Sequence, residues 1–316
     1  MAQIVCFGEC MVELSRTLLG GQSWHLGYAG DSYNVAVYLA RLGQNVTYMT
    51  ALGDDEFSSE MRAEWARENV GADLTLTHKD RIVGLYAIRV DDQGERSFTY
   101  WRGESAARAF FECSGAGTAL AQASKARLLY VSGITLSLFT EGERARIYRL
   151  AEDVRHAGGW VAFDTNFRPK GWSDAMTARR AIEGFGRLAN IALPTLEDDV
   201  ALFGDQSAEA CAARWLRLGV TEVAVKMGGD GCHVATRDEQ RRIAGQAVPN
   251  VRDTTGAGDS FNAGYLAARL AGHNPTVAAE TGNKLAAVVV QHPGAILPRA
   301  VMPGRIMPAA SVGQAE

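Results

Sequence analysis

What the chain lacks narrows it first. Its 316 residues hold five cysteines, Cys6, Cys10, Cys113, Cys211 and Cys232, an odd number, widely scattered and without a C-x-x-C pair. That pattern excludes a disulfide framework and implies reduced thiols in a cytoplasmic protein. Cys6 and Cys10 are four apart, but residues 4–8 read as a buried strand, so core packing is expected there rather than a metal. A dense Lys/Arg block is also missing: 32 basic against 36 acidic residues leave a net charge of −4 and a pI near 5.9. No general nucleic-acid surface follows from such a balance. Any anionic ligand must be gripped by a few local arginines. Apolar runs such as Leu285 to Val290 fall far short of the roughly 20 residues that span a bilayer. The N-terminus has no basic region before an apolar stretch, so a cytoplasmic protein with no membrane partner is expected. Internal repeats, low-complexity tracts and long linkers are absent as well.

What is present is a rhythm. With 47% apolar residues the chain can bury one large α/β core, with room for a small appendage. Apolar runs at Ile4 to Phe7, Val46 to Leu52, Leu128 to Ser132, Val161 to Asp164, Ile191 to Leu193 and Val223 to Lys226 alternate with helical patterns. Those helices are expected at Ser32 to Leu42, Phe57 to Asn69 and Glu141 to His156. The alternation predicts a mostly parallel sheet covered by helices on both faces, with ligands beyond the carboxyl ends of its strands. One stretch departs from it. Arg81 to Val90 and Arg96 to Trp101 are joined by Asp91-Asp92-Gln93-Gly94 with no helix between, which predicts a hairpin paired with a strand from residues 12–28. Such a small sheet on an α/β body reads as a lid. Period two sets Phe98, Tyr100 and Arg102 on one face, and Tyr86 with Ile82 and Ile88 on the other strand's face. Facing a cleft, they offer two phenols and a guanidinium; otherwise Tyr86 and Tyr100 simply pack the lid.

The segment richest in chemistry is Asp253-Thr254-Thr255-Gly256-Ala257-Gly258-Asp259. Phe261, Tyr265, Leu266 and Leu270 recur behind it at near-helical spacing, so a helix should start close to Gly258. Its unpaired N–H groups and dipole favour a phosphate, and the glycines allow close approach to the backbone. A carboxylate at that place is a poor phosphate ligand. Its useful work is to take a proton from a hydroxyl attacking phosphorus, although a helix cap is the plainer reading of Asp259.

Separated segments agree with one family. Gly30-Asp31-Ser32-Tyr33-Asn34-Val35-Ala36, the run Leu39 to Gly43, Gly53-Asp54-Asp55, the segment Val225 to Gly231 and Asp253 to Asp259 resemble the ribokinase-like sugar kinases, the phosphofructokinase B family, over nearly the whole length. The resemblance implies a three-layer α/β/α sandwich with a mostly parallel central sheet and a β lid. The body is expected over residues 1–11, 29–80 and 103–308, the lid over 12–28 and 81–102, and a frayed tail over 309–316. It also implies ATP and Mg2+, with Asp259 as base and Gly256, Ala257 and Gly258 around the transferred phosphoryl group. ATP would lie near Asn166, Thr195, Lys226, Gly228, Gly231, Gly256, Gly258 and Asn283, though helix packing explains Asn283 nearly as well.

Within the family, Gly84-Leu85-Tyr86, Phe98 to Arg102 and Phe163 to Pro169 are most similar to kinases of 2-keto-3-deoxygluconate. That likeness implies an α-keto sugar acid as substrate, phosphorylated at its 6-hydroxyl. Tyr86, Tyr100, Arg102 and Arg168 would hold it, the arginines on its carboxylate, with Gly30 and Asn34 on hydroxyls. Arg168 alternatively is a surface residue before a proline turn, and Asn34 a cap. The galactonate epimer, fructose, ribose and a nucleoside stay open as substrates, as does a silent sugar or nucleotide sensor. The family's N-x-x-E is replaced here by Thr195-Leu196-Glu197-Asp198. Asp198 is therefore the metal candidate, acting mostly through water, with Glu197 as its competitor. A homo-oligomer through the lid or a sheet edge is expected.

Overall fold

Continuous apolar runs become strands here because the sheet they form is covered on both faces. The computed structural model describes residues 3–16, 23–90, 96–304 and 306–307. The chain opens with β1 (Ile4–Phe7), β2 (Met11–Arg16), β3 (His25–Ala29), α1 (Asp31–Arg41), β4 (Val46–Leu52), α2 (Glu56–Arg67), β5 (Val70–Gly71) and β6 (Thr75–Thr77). Then come β7 (Leu85–Val90), β8 (Arg96–Trp101), α3 (Ala116–Ala123), β9 (Leu128–Ser132), α4 (Gly133–Ser137), α5 (Glu141–His156) and β10 (Trp160–Asp164). The remainder is α6 (Ala175–Gly186), β11 (Ile191–Ala192), α7 (Leu196–Phe203), α8 (Ala208–Leu218), β12 (Glu222–Lys226), β13 (Cys232–Thr236), β14 (Gln240–Ile243), α9 (Ala257–Leu270) and α10 (Pro275–Val289).

The main sheet runs β14-β13-β12-β11-β10-β9-β1-β4-β5, with β6 beside β4. Its strands are parallel from β5 to β12, and β13 and β14 close one edge antiparallel. Strand periodicity divides the core in two. Ile4, Cys6, Leu128 and Tyr130 pack with Val35, Leu39, Phe261 and Leu285, while Val5, Phe7, Leu129 and Val131 pack with Ile147, Ile182 and Trp215. Helices therefore cover both faces, giving the expected ribokinase-like sandwich.

A second sheet, ordered β3-β2-β7-β8, stands apart from the first. It is antiparallel except at β2–β7. Two strands, not one, come from the N-terminal segment, and β7 begins at Leu85 rather than Arg81. Ile82 is exposed outside the ladder and so does not share the buried face of Tyr86 and Ile88. The turn at residues 91–94 and the tail at 309–316 lie outside the described residues. Because β2 leaves directly from the carboxyl end of β1, the small sheet is rooted where parallel sheets bind ligands.

Candidate active site

Helix α9 sets the site. Gly256 is its N-cap, with φ of 72°, a left-handed value that suits glycine. A Cβ there would meet Ala295 O at 2.6 Å. The preceding loop is pinned by Asp253, whose carboxylate accepts from Thr255 N and Gly294 N, each at 2.7 Å. No side chain caps the helix, so Asp259, one turn in, is not a cap. Its Oδ2 instead accepts from Asn34 Nδ2 on α1 at 2.8 Å. Gly258 faces Lys226: a Cβ would lie 3.6 Å from Nζ. Backbone donors, a helix dipole and a cation thus converge beside a carboxylate.

The electrostatics suit proton transfer. Burial pushes the Asp259 carboxyl up to about 7, the Asp31 and Asp164 carboxylates add to the rise, and the Asn34 amide and Lys226 oppose it. Lys226 is buried at the end of β12, bonded to Asp164 Oδ2 at 2.7 Å and Asn262 Oδ1 at 3.0 Å. Asn262 in turn donates to Asp164 at 2.6 Å and to the Tyr130 hydroxyl at 3.1 Å. This closed network fixes the ammonium beside Gly258 in the first turn of α9, because a buried charge needs its partners. Asn166, at a strained φ of 31°, follows Asp164 and donates to Asp31 Oδ2 at 3.3 Å. Gly30 caps α1 with its Cα against Glu9; a Cβ would fall 2.1 Å from Glu9 O.

The two expected substrate arginines are not bare. Arg168, after β10, bonds both oxygens of Asp198 at 3.0 and 3.1 Å, and Arg102, past β8, pairs with Glu9. Asp198 sits above its ordinary range, chiefly by burial, with Arg168 opposing; Glu197 is exposed. Tyr86 gives its hydroxyl to Glu13 and is buried, so of the two expected phenols only Tyr100, 47% exposed, stands free toward solvent. Their rings lie 5.7 Å apart across the β7–β8 ladder.

Thr195 bridges backbone to backbone with Lys226 at the ends of β11 and β12. Gly228 and Gly231 take φ of 56° and 92° in the β12–β13 turn. A Cβ on Gly231 would meet Ile243 O at 2.1 Å, so this turn and the segment after β14 pack backbone on backbone. Between them lies a depression lined by Gly229, Asp230, Arg242, Ala244 and Gly245. Asn283 on α10 donates to Ala244 O at 3.1 Å, tying that helix to its rim.

The profile described as pfkB family carbohydrate kinase matches residues 1–301. The chain is a member of this family of kinases. Among its relatives, a 2-dehydro-3-deoxygluconokinase of Escherichia coli strain K12 is 40% identical over 315 residues, covering 95% of this chain and 99% of that protein. A PfkB protein from Polaromonas sp. JS666 superposes with a TM-score of 0.82 at 29% identity, covering 95% of this chain and 98% of that one. A fructokinase from Vibrio cholerae O395, in its fructose, ADP and calcium ion bound form, gives a TM-score of 0.79 at 26% identity over 94% and 95% of the two chains.

For this carbohydrate kinase, one cluster of metal-ligand type occurs among the described residues, Asp199, Asp205 and Cys211. Arg214 fills it, with Nη2 2.9 Å from Asp205 Oδ2 and bonded also to Asp199, so a cation does not fit there. Asp198, the expected magnesium residue, is partly exposed, but Arg168 bonds both of its oxygens, so an ion there would reach it through water. Sequence reasoning passed over Asp31, Asp164, Glu9 and Asn262. Asp31 and Asp164 stand inside the quoted motifs and were legible as carboxylates at strand and helix ends; Asn262 looks like one more polar residue of a helix.

Proposed function

We propose that this kinase transfers the γ-phosphoryl group of ATP to the 6-hydroxyl of 2-keto-3-deoxygluconate, the 2-dehydro-3-deoxygluconate of its relative's name. The observation that carries it is Asp259, a carboxylate titrating near 7 at the mouth of a glycine-lined helix N-terminus. A base with that pKa is ionised enough at neutral pH to accept the hydroxyl proton as the oxygen attacks phosphorus. The charge gathering on the phosphoryl oxygens meets the N–H groups of residues 256–258 and the Lys226 ammonium, already oriented by Asp164 and Asn262. Asn34 holds the Asp259 carboxylate, and Arg102 and Arg168 take the sugar's carboxylate. The nucleotide lies against the glycine turn after β12 and the rim near Asn283. Asp198 would hold magnesium, mostly through water, and the ion would supply charge neutralisation of the phosphates.

The 40% identity to a 2-dehydro-3-deoxygluconokinase supports the substrate. A neutral sugar such as fructose is the second reading, favoured by one observation: both arginines already have carboxylate partners. A coupled ADP-release assay with magnesium-ATP decides between them, comparing 2-keto-3-deoxygluconate, its galactonate epimer, fructose and ribose. We expect the sugar acid to turn over and the neutral sugars to lag by tens- to hundreds-fold, as a charge-assisted bond implies. Preference for a neutral sugar would overturn the substrate assignment and leave the kinase chemistry standing.

A further inference from the structure

We infer that Glu9 is a positioning residue for recognition of the sugar acid, holding the Arg102 guanidinium in place from behind. The inference deepens the proposed function and rests on its assignment of Arg102 to the substrate's carboxylate.

Three parts of the chain meet on Glu9. Its backbone carbonyl lies against Gly30, the N-cap of α1. Its Oε1 would be 2.9 Å from a Cβ on Gly84, at the entry to β7, so the missing side chain at 84 is what admits the carboxylate. That same absent Cβ would stand 3.2 Å from Arg102 Cβ. The carboxylate itself is buried, its side chain 1% exposed, and it pairs with Arg102 Nη2. Among the described residues, neither of its oxygens has a further hydrogen-bond partner, and the buried Nε and Nη2 of Arg102 have none either. Arg108 lies within electrostatic reach of the same group: burial lowers its pKa and Glu9 raises it.

The consequence is directional. A guanidinium with two buried nitrogens needs an anion behind them, and Glu9 is that anion. With it, the Arg102 side chain keeps 18% exposure and is held at the root of the small sheet. Replaced by a neutral amide, Glu9 would release a long side chain to seek another carboxylate. Asp31 is the candidate, since Arg102 already acts on its titration. A guanidinium captured there no longer stands ready for the ligand, and the lost preorganisation appears as weaker binding.

The test is calorimetric titration of 2-keto-3-deoxygluconate and of ATP into the full-length protein and the variants Glu9→Gln, Arg102→Met, the double variant and Gly84→Ala. Glu9→Gln should weaken the sugar acid about tenfold, the size of one charge-assisted contact, and change ATP by less than about twofold. Since Glu9 acts through Arg102, the double variant should bind no more weakly than Arg102→Met alone. Gly84→Ala crowds the pair without removing a charge and should give the same selective loss, which decides the matter if Glu9→Gln fails to fold. Unchanged or tighter sugar-acid binding in Glu9→Gln, or effects that add in the double variant, would overturn the proposal. Unchanged binding in Arg102→Met would overturn the Arg102 assignment, and the proposal with it.

Discussion

Asp259 has two measurable consequences. Removing the base as Asp259→Asn should lower kcat by about 10²- to 10⁴-fold, read in the ADP-release assay. As a base it works deprotonated, so kcat/KM of the parent should rise with pH through about 7, and a profile flat from pH 6 to 8 would rule that assignment out. The stability effect has the opposite sense. The native carboxyl titrates near 7 against an ordinary 3.8, so between those values the native state holds a proton that the unfolded chain has lost. Stability from this group is full at low pH and is lost as pH rises through the folded value. Asp259→Asn should therefore gain melting temperature relative to the parent at pH 8 and not at pH 4, a trade of stability for activity.

Two helices permit a contrast between elements. Gly256→Ala puts a Cβ at positive φ and 2.6 Å from Ala295 O, so the first turn of α9 must shift, and phosphoryl transfer should fall by at least tenfold, given how steeply transfer depends on alignment. Helix α5, remote from the chemistry, starts with a capping box in which Thr140 and Glu143 satisfy each other's backbone N–H groups. Thr140→Ala should cost about 1 kcal/mol in urea unfolding with kcat unchanged. The contrast also marks what the sequence makes legible. The start of α9, the run of parallel strands and the antiparallel β7–β8 pair follow from periodicity and glycine placement, because local pattern governs them. The antiparallel β13–β14 edge pairs locally, but β14, Gln240–Ile243, is polar and mostly exposed and so shows no apolar run; the seat of the N-terminal strands depends on the long-range pairing of β2 with β7. Glu9 and Glu13 read as ordinary polar residues, and only the approach of Arg102 and Tyr86 from distant segments makes them buried partners. Asp259 could be singled out because the glycines beside it in sequence open the same helix; its partner Asn34, like the Asp164 and Asn262 that hold Lys226, came into place only through the fold.

Across the whole molecule, the N-terminal helices and the C-terminal segment are locked at Glu68. Arg41 reaches it with two bonds of 2.8 Å and also donates to Leu297 O at 2.6 Å, while Arg299 adds a contact at 3.3 Å. Burial alone would raise the Glu68 carboxyl, but the Arg41 bonds and charge outweigh it and hold the group below its ordinary 4.5. Its contribution is thus present above that value and lost as pH falls through the lowered one. Glu68→Gln leaves Arg41 without a buried counterion and should destabilise the protein by about 3 kcal/mol at pH 7, with a smaller difference from the parent in strong acid, measured by urea titration at each pH. The five scattered thiols have a last consequence. All are buried and free, in β1, at its exit, before α3, in α8 and in β13, and burial pushes each above the usual thiol range. An alkylating reagent can therefore reach them only when the fold opens. The molecule carries five native clocks, spread through both halves of its interior, and the order in which mass tags accumulate would time which half breathes first.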